Sequence, residues 1–120
     1  MKLIGSKTEK EIREQLIVSN KSLFEDKDRL KLLNILRQCV SVLETAYILN
    51  WIPEQEEDFY TILINNSLIA NIELNRHDKE ALPKINLISL AQYKLGLSKI
   101  NQIKLAVAME LAKEYSKKSE

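Results

Sequence analysis

Glycine, cysteine, histidine and proline are all scarce in this chain of 120 residues, which has two Gly, one Cys, one His and two Pro. With only Gly5 and Gly96, the sequence contains no glycine-rich phosphate-binding loop, dinucleotide fingerprint or Gly-x-Ser-x-Gly hydrolase turn. Cys39 is alone, which excludes an internal disulfide and is typical of a reducing compartment. A single histidine, His77, excludes zinc sites built from several His and Cys ligands. We therefore expect no cofactor and no metal.

Long apolar runs are also missing, and none approaches the length that a transmembrane helix needs. The N-terminal residues are not followed by the apolar stretch of a signal peptide. We expect a cytoplasmic protein that does not bind membranes, and the many Lys, Ile and Asn residues are typical of a bacterial source. The length fits a single domain, residues 1–120, which is large enough to bury a core without disulfides.

Helical spacing of apolar residues characterises both ends of the chain. It predicts a first helix at about residues 7–24, a second at about 28–41 and a long C-terminal helix at about 98–117. Ser6 and Glu9 have the spacing of a capping box at the start of the first helix. The predicted apolar stripes consist of Ile12, Leu16, Ile17, Leu23 and Phe24 in the first helix, and of Ile100, Ile103, Val107, Leu111 and Tyr115 in the last.

The middle of the chain is rich in β-branched and aromatic residues, which favour strands. Strands are predicted at residues 45–52, 59–64 and 68–74, and residues 84–88 add a short one. Asn65-Asn66 fits the tight turn of a hairpin, because asparagine tolerates positive φ angles. The predicted fold is therefore α+β, with two N-terminal helices, a small antiparallel meander at about residues 45–75 and a long C-terminal helix.

Alternation along the hairpin predicts which residues share a face of the sheet. Phe59, Thr61 and Leu63 are expected on one face with the apolar residues of the next strand, which are Leu68, Ala70, Ile72 and Leu74. The opposite face would carry Tyr60, Asn71 and Glu73 and would be partly exposed to water.

Charge is distributed unevenly although the net charge is only +1. Residues 41–80 carry 2 Lys/Arg against 8 Asp/Glu, whereas residues 1–40 carry 9 against 6 and residues 81–120 carry 7 against 3. The densest acidic stretch is flanked by aromatic residues, a type enriched at the energetic centres of interfaces. It is interpreted either as a solvated turn or as a recognition surface. Its members are Trp51, Glu54, Glu56, Glu57, Asp58, Phe59 and Tyr60.

Asp58 and Glu73 provide an alternative with catalytic chemistry. They fall on neighbouring predicted strands, and two carboxylates can bind Mg²⁺ together. The arrangement loosely resembles the Asp and Glu-x-Lys pattern of metal-dependent nucleases. Asn75 stands where that pattern requires lysine, and the favoured hypothesis is therefore a protein without enzymatic activity.

The acidic stretch, the single thiol and the lack of a catalytic set resemble the small cytosolic immunity proteins of bacterial toxin systems. The resemblance implies tight inhibition of a basic, nuclease-type toxin domain, because an acidic inhibitor complements a toxin that binds an anionic substrate. Nucleic acid is not expected as a partner, since carboxylates repel phosphates. A homodimer paired through a sheet edge is a further alternative. The predicted partner-binding residues are Trp51, Glu54, Glu56, Glu57, Asp58, Tyr60 and Glu73.

Overall fold

A computed structural model describes residues 7–78 and 80–119, with the side chains of residues 8–78 and 80–115. Ser6 of the predicted capping box lies outside the described residues. The helices and strands occur in the predicted order, which confirms the α+β fold. They are α1 (Lys7–Glu25), a 3₁₀ turn (Lys27–Arg29), α2 (Leu30–Cys39), β1 (Ala46–Pro53), β2 (Glu57–Ile64), β3 (Leu68–Asn75), β4 (Lys84–Ser89), α3 (Leu90–Tyr93) and α4 (Lys99–Ser119).

The four strands form one antiparallel sheet in the order β1-β2-β3-β4, so each strand pairs with its neighbour in sequence. The predicted turn between β2 and β3 is confirmed, because Asn65 and Asn66 have φ angles of 52° and 57°. The Asn65 side chain also accepts hydrogen bonds from the backbone N–H groups of Glu44 and Thr45, and donates one to the Val42 carbonyl. It thereby ties the loop before β1 to the hairpin turn.

The sheet is covered on both sides, which gives three layers. On one side, the α2 face, Leu32 and Leu36 of α2 belong to one core cluster with Ile62 and Ile72 of the sheet. On the other side, the α4 face, Leu105 and Leu111 of α4 belong to a second core cluster with sheet residues. The sheet contributes to that cluster Tyr47, Leu49, Leu63 and Ile69. Helix α1 takes part in both clusters, with Leu23 in the first and Leu16 in the second.

The predicted faces of the hairpin are wrong. The register pairs Phe59 with Glu73, Thr61 with Asn71 and Leu63 with Ile69, so these six residues share the α4 face. Tyr60 lies on the α2 face instead, opposite Ile72. The three-residue loop between Ile64 and Leu68 fixes this register. Because helices cover both faces, apolar residues occupy both, and alternation in the sequence no longer identifies the inner face.

The predicted apolar stripes of α1 and α4 are confirmed except at three residues, which are exposed to solvent. Ile17 of α1 is 48% exposed, and Ile100 and Tyr115 of α4 are 42% and 43% exposed. None of the helices in the described ranges combines the length and the apolar character needed to cross a membrane.

Helix α4 covers only part of its face of the sheet. Its core partners lie near the β2–β3 turn, and the opposite end of the α4 face carries Phe59, Thr61, Asn71 and Glu73. These four side chains are half-buried, and together with Asn86 and Lys84 they line a shallow cavity of about 330 Å³. The sheet therefore extends beyond its helical cover at the end that carries the β1–β2 hairpin.

Candidate protein-binding site at the first hairpin

The acidic stretch forms the tip of the hairpin that joins β1 to β2. The loop is closed by a hydrogen bond from the Glu54 N–H to the Glu57 carbonyl, with a donor–acceptor distance of 2.8 Å. Glu54 and Glu56 are exposed and Glu57 is half-buried. Within residues 7–78 and 80–119, no cationic side chain forms an ion pair with any of these three, which are called the tip glutamates below. Their negative charges are therefore available to a partner.

Arg76, directly after β3, holds the backbone of the tip in place through hydrogen bonds. Its backbone N–H donates to the Glu56 carbonyl at 2.8 Å, and its Nη2 donates to the Glu54 carbonyl at 2.7 Å. The same guanidinium binds both carboxylate oxygens of Asp58, with Nη2–Oδ1 at 2.8 Å and Nε–Oδ2 at 3.3 Å. One side chain thus holds both the backbone of the tip and the Asp58 carboxylate of β2. The loop is organised before any partner arrives, which lowers the entropic cost of binding.

Asp58 differs from the tip glutamates because its charge is already matched. The Arg76 guanidinium, assisted by the indole N–H of Trp51, which donates to Oδ1 at 3.0 Å, holds the Asp58 pKa below its ordinary value despite partial burial. In turn, Asp58 raises the pKa of Arg76. The Asp58 side chain is 14% exposed. We conclude that this carboxylate stabilises the hairpin and is poorly placed to contact a partner.

Trp51 and Tyr60 lie side by side on β1 and β2, with ring centroids 6.2 Å apart and nearly parallel planes. The Arg29 guanidinium lies over both rings, at 5.0 Å from the Trp51 centroid and 5.5 Å from the Tyr60 centroid, and it donates to the Tyr60 hydroxyl at 2.6 Å. Burial is the main cause of a raised Tyr60 pKa. These three residues form an aromatic cluster on the α2 face, stabilised by cation–π contacts.

The aromatic cluster changes the electrostatic character of this side of the hairpin. Arg29 and Arg76 bring two positive charges, and Asp58 brings one negative charge. Tyr60 is only 6% exposed, so it contributes no contact area, whereas Trp51 is 49% exposed. A basic partner would meet positive charge here, and the α2 side of the hairpin is therefore not the acidic surface that the sequence indicated.

The α4 side of the hairpin has different chemistry. Glu73 faces Phe59 across the strands, and its carboxylate lies 3.7 Å from the Lys84 Nζ in a loose, exposed ion pair. Ile52 is 55% exposed next to Phe59. A row of small polar side chains crosses all four strands behind them, formed by Asn50, Thr61, Asn71 and Asn86. This side offers apolar contact area and amide groups next to the tip glutamates.

The structure divides the seven predicted partner-binding residues into three groups. The tip carries Glu54, Glu56 and Glu57; the α2 face carries Trp51, Asp58 and Tyr60; and the α4 face carries Glu73. Asp58 and Glu73 therefore lie on opposite faces of the sheet and do not form the shared metal site of the alternative hypothesis. In the described ranges, no group of three or more His, Cys, Asp or Glu side chains is arranged to hold a metal ion.

Sequence reasoning missed the two arginines that organise the site. Arg29 lies 31 positions before Tyr60, and Arg76 lies 18 positions after Asp58, so no local pattern connects them to the hairpin. A signal was present only in composition, because Arg76 is one of just two cationic residues in the acidic middle third. An isolated cation in such a segment is a natural candidate for an internal ion pair.

Comparisons of this chain with protein-family models, with curated proteins and with solved structures found no match.

Proposed function

We propose that this protein binds a basic protein through the hairpin tip and acts as an immunity-type inhibitor of a nuclease-like toxin domain. The observation that carries the proposal is the fixed array of tip glutamates. Three carboxylates without intramolecular ion pairs among the described residues stand on a loop whose backbone is fastened by Arg76. Unmatched like charges on a fastened loop repel one another, and a cationic partner relieves that repulsion.

A nuclease-type toxin fits this chemistry because an enzyme that binds an anionic substrate carries a basic active site. An acidic inhibitor gains both faster association and specificity from complementary charge. The middle third of the chain, with 8 Asp/Glu against 2 Lys/Arg, would orient the approach of such a partner. Binding would neutralise the toxin by covering the site that its substrate needs, and it requires no catalytic residue in this chain.

The contact surface we propose begins at the tip and continues onto the α4 side of the hairpin. Ile52 and Phe59 supply apolar area there, and Glu73 adds a fourth carboxylate. The aromatic cluster on the α2 side holds the strands together from behind, with Arg29 over its rings. Trp51 and Tyr60 thereby support the hairpin, and the charges that meet the partner are those of the three tip glutamates and of Glu73.

The proposal is tested by capturing partners from cells of the source organism with the immobilised protein and with a variant carrying Glu54→Lys, Glu56→Lys and Glu57→Lys. A matched control carries Glu11→Lys, Glu14→Lys and Glu25→Lys, three exposed acids of α1. Both variants change the net charge by the same amount, so only the position of the charges differs. We expect the wild type and the control to retain one basic protein that the tip variant loses.

Circular dichroism should show that all three proteins are folded, because exposed charges contribute little to stability. Recovery of the same protein by the wild type and the tip variant would refute the proposal. So would a captured partner that is acidic, or one that the α1 control loses equally.

A further inference from the structure

Strand β1 lies at one edge of the sheet, and only half of that edge is covered. Helix α1 crosses it near the start of the strand, where Asn20 Oδ1 accepts from the Ala46 N–H at 3.0 Å and Ser19 Oγ accepts from the Ile48 N–H at 3.2 Å. The register then shifts between Ile48 and Asn50, which marks a β-bulge. Beyond the bulge, residues 50–53 are not covered by α1, and we call them the open edge. Exposed edges of this kind readily accept another strand.

The open edge carries two large apolar side chains in contact with water. Trp51 is 49% exposed and Ile52 is 55% exposed, on opposite faces of the strand. A strand added here would cover part of both side chains while its backbone pairs with β1. Pro53 limits the number of backbone hydrogen bonds, because it has no N–H to donate.

A cationic groove borders the same edge. It has a volume of about 380 Å³ and runs between α1 and β1, with Val18 and Ser22 on the helix side and Asn50 and Trp51 on the strand side. Two lining residues, Arg29 and Lys104, are positively charged, and none is acidic. The Lys104 Nζ donates to the Asn50 Oδ1 at 3.0 Å, which holds the ammonium group beside the strand on the α4 face. The occupant that complements this groove is anionic.

We propose that the occupant is the hairpin tip of a second copy of this chain, in a two-fold symmetric dimer joined through the open edges. Asn50 and Glu54 are each two positions from Ile52. Antiparallel pairing about Ile52 therefore places Glu54 of the second copy opposite Asn50, about 5 Å away. Glu54 directly follows Pro53, the last residue of β1, and a side chain that continues the alternation of the strand lies on the α4 face, beside Lys104 of the other copy. By symmetry, each copy supplies one acidic tip and one cationic groove.

This dimer goes beyond the proposed function, since it concerns the isolated protein. It also has a consequence for that function, because a tip seated in the second copy's groove is hidden from a basic toxin. With few backbone bonds and exposed ion pairs, the association is weak and sensitive to salt.

Sedimentation velocity over a wide range of protein concentrations tests the dimer. We expect dimers at high concentration that dissociate when salt is raised. Glu54→Lys and Lys104→Glu should each weaken association by about tenfold or more, since each replaces two ion pairs by two repulsions. The double variant with both changes should recover most of the loss, because the charges again match. Leu87→Lys, which alters an exposed side chain on the opposite sheet edge, should have no effect.

Disulfide trapping tests the register directly and does not depend on charge. In a Cys39→Ala background, Ile52→Cys should cross-link under mild oxidation, because the two copies of this residue face each other across the two-fold axis. Leu87→Cys serves as the control at the other edge and should not form a disulfide-linked dimer. A protein that stays monomeric at every concentration would overturn the inference. Cross-linking at Leu87 in place of Ile52, or failure of the double charge variant to recover association, would overturn it equally.

The proposed function and the proposed dimer can be refuted independently of each other. A dimer that forms as described, without any basic protein being captured, would refute the proposed function alone. Loss of the captured partner in the tip variant, with a wild type that is strictly monomeric, would refute the dimer alone.

Discussion

Asp58 and its neighbours on the tip show how position decides the role of an acidic residue. All four acids of the stretch between Pro53 and Phe59 look equivalent in the sequence, yet Asp58 is the one whose carboxylate binds the side chains of Arg76 and Trp51. Arg76, the ion-pair partner of Asp58, follows β3 and lies 18 positions away in the sequence. Local sequence could identify the acidic stretch, but it could not distinguish the carboxylate that holds the fold from those left for a partner.

The pH dependence of stability should report this difference. The folded-state pKa of Asp58 is lowered, so its charged form stabilises the fold above the ordinary pKa of about 3.9, and that contribution is lost as the pH falls through the lowered value. Asp58→Asn should reduce the free energy of unfolding by about 1 kcal/mol at pH 7. The difference from the wild type should shrink towards pH 3.

Denaturant unfolding measures the free energy of unfolding of Asp58→Asn and of the wild type at pH 7 and at pH 3. Glu56→Gln serves as the control, because Glu56 is exposed and its side chain forms no ion pair within the described residues. A difference between Asp58→Asn and the wild type that stays constant from pH 7 to pH 3 would contradict the assignment.

The two asparagines of the β2–β3 turn provide a matched pair. Both have positive φ angles, but only Asn65 makes side-chain hydrogen bonds to the loop before β1. Asn65→Gly keeps the backbone conformation and loses those bonds, so we expect a loss of about 2 kcal/mol in the free energy of unfolding. Asn66 has a buried Oδ1 without a hydrogen-bond partner, and Asn66→Gly should be neutral or slightly stabilising.

Thermal or denaturant unfolding of the two glycine variants decides this point. Equal destabilisation by both substitutions would show that the turn conformation alone matters, and that the bonds of Asn65 to Glu44, Thr45 and Val42 contribute nothing.

At the scale of helices and strands, the sequence predicted which elements exist and their order. It did not predict which residues of the hairpin share a face of the sheet. The Asn65-Asn66 turn depends on local sequence, and it occurs in the structure as predicted. The hairpin register depends on the three-residue loop and on helices packed against both faces. Those contacts come from α2 and α4, which are distant in sequence, and the alternation of residues within the strands does not predict them.

The Arg76 connection makes the hairpin tip a rigid element, and its removal should loosen the tip without unfolding the sheet. Arg76→Ala removes the bond to the Glu54 carbonyl and the pair with Asp58. We expect faster hydrogen exchange at the Glu54 N–H, which closes the loop by bonding the Glu57 carbonyl. Core amides such as that of Ile62 should exchange as in the wild type.

The matched control for this measurement is Arg37→Ala, which removes the same charge from an exposed position of α2. Unchanged exchange at Glu54 in the Arg76→Ala variant would contradict the role of Arg76 as the fastener of the tip.

At the scale of the whole molecule, one sheet joins two cores. Leu36 lies in the core on the α2 face, and Leu111 lies in the core on the α4 face. Ile62 and Leu63 are adjacent in β2 and lie in different cores, as do Ala70 and Ile69 in β3, so the two cores should unfold together. This coupling follows from three layers of structure, and composition alone indicated only that a core of sufficient size was present.

Leu36→Ala and Leu111→Ala should each lower the free energy of unfolding by about 2–4 kcal/mol. The fluorescence of Trp51, the only tryptophan, reports on the α2 side, whereas far-ultraviolet circular dichroism reports on all helices. The two signals should give coincident transitions in both variants. Separate transitions in either variant would show that the layers are independent.

The whole molecule also places the tip glutamates at one end of the sheet, where the helical cover stops. We propose that the tip glutamates at this end recognise a basic protein. The most direct test is calorimetric titration of the captured partner, in low and high salt, with the wild type, the variant carrying Glu54→Lys, Glu56→Lys and Glu57→Lys, and the α1 control described above. We expect salt-sensitive binding that the α1 control retains and that the tip variant weakens by at least about a hundredfold. Equal affinity of the tip variant and the wild type would contradict it.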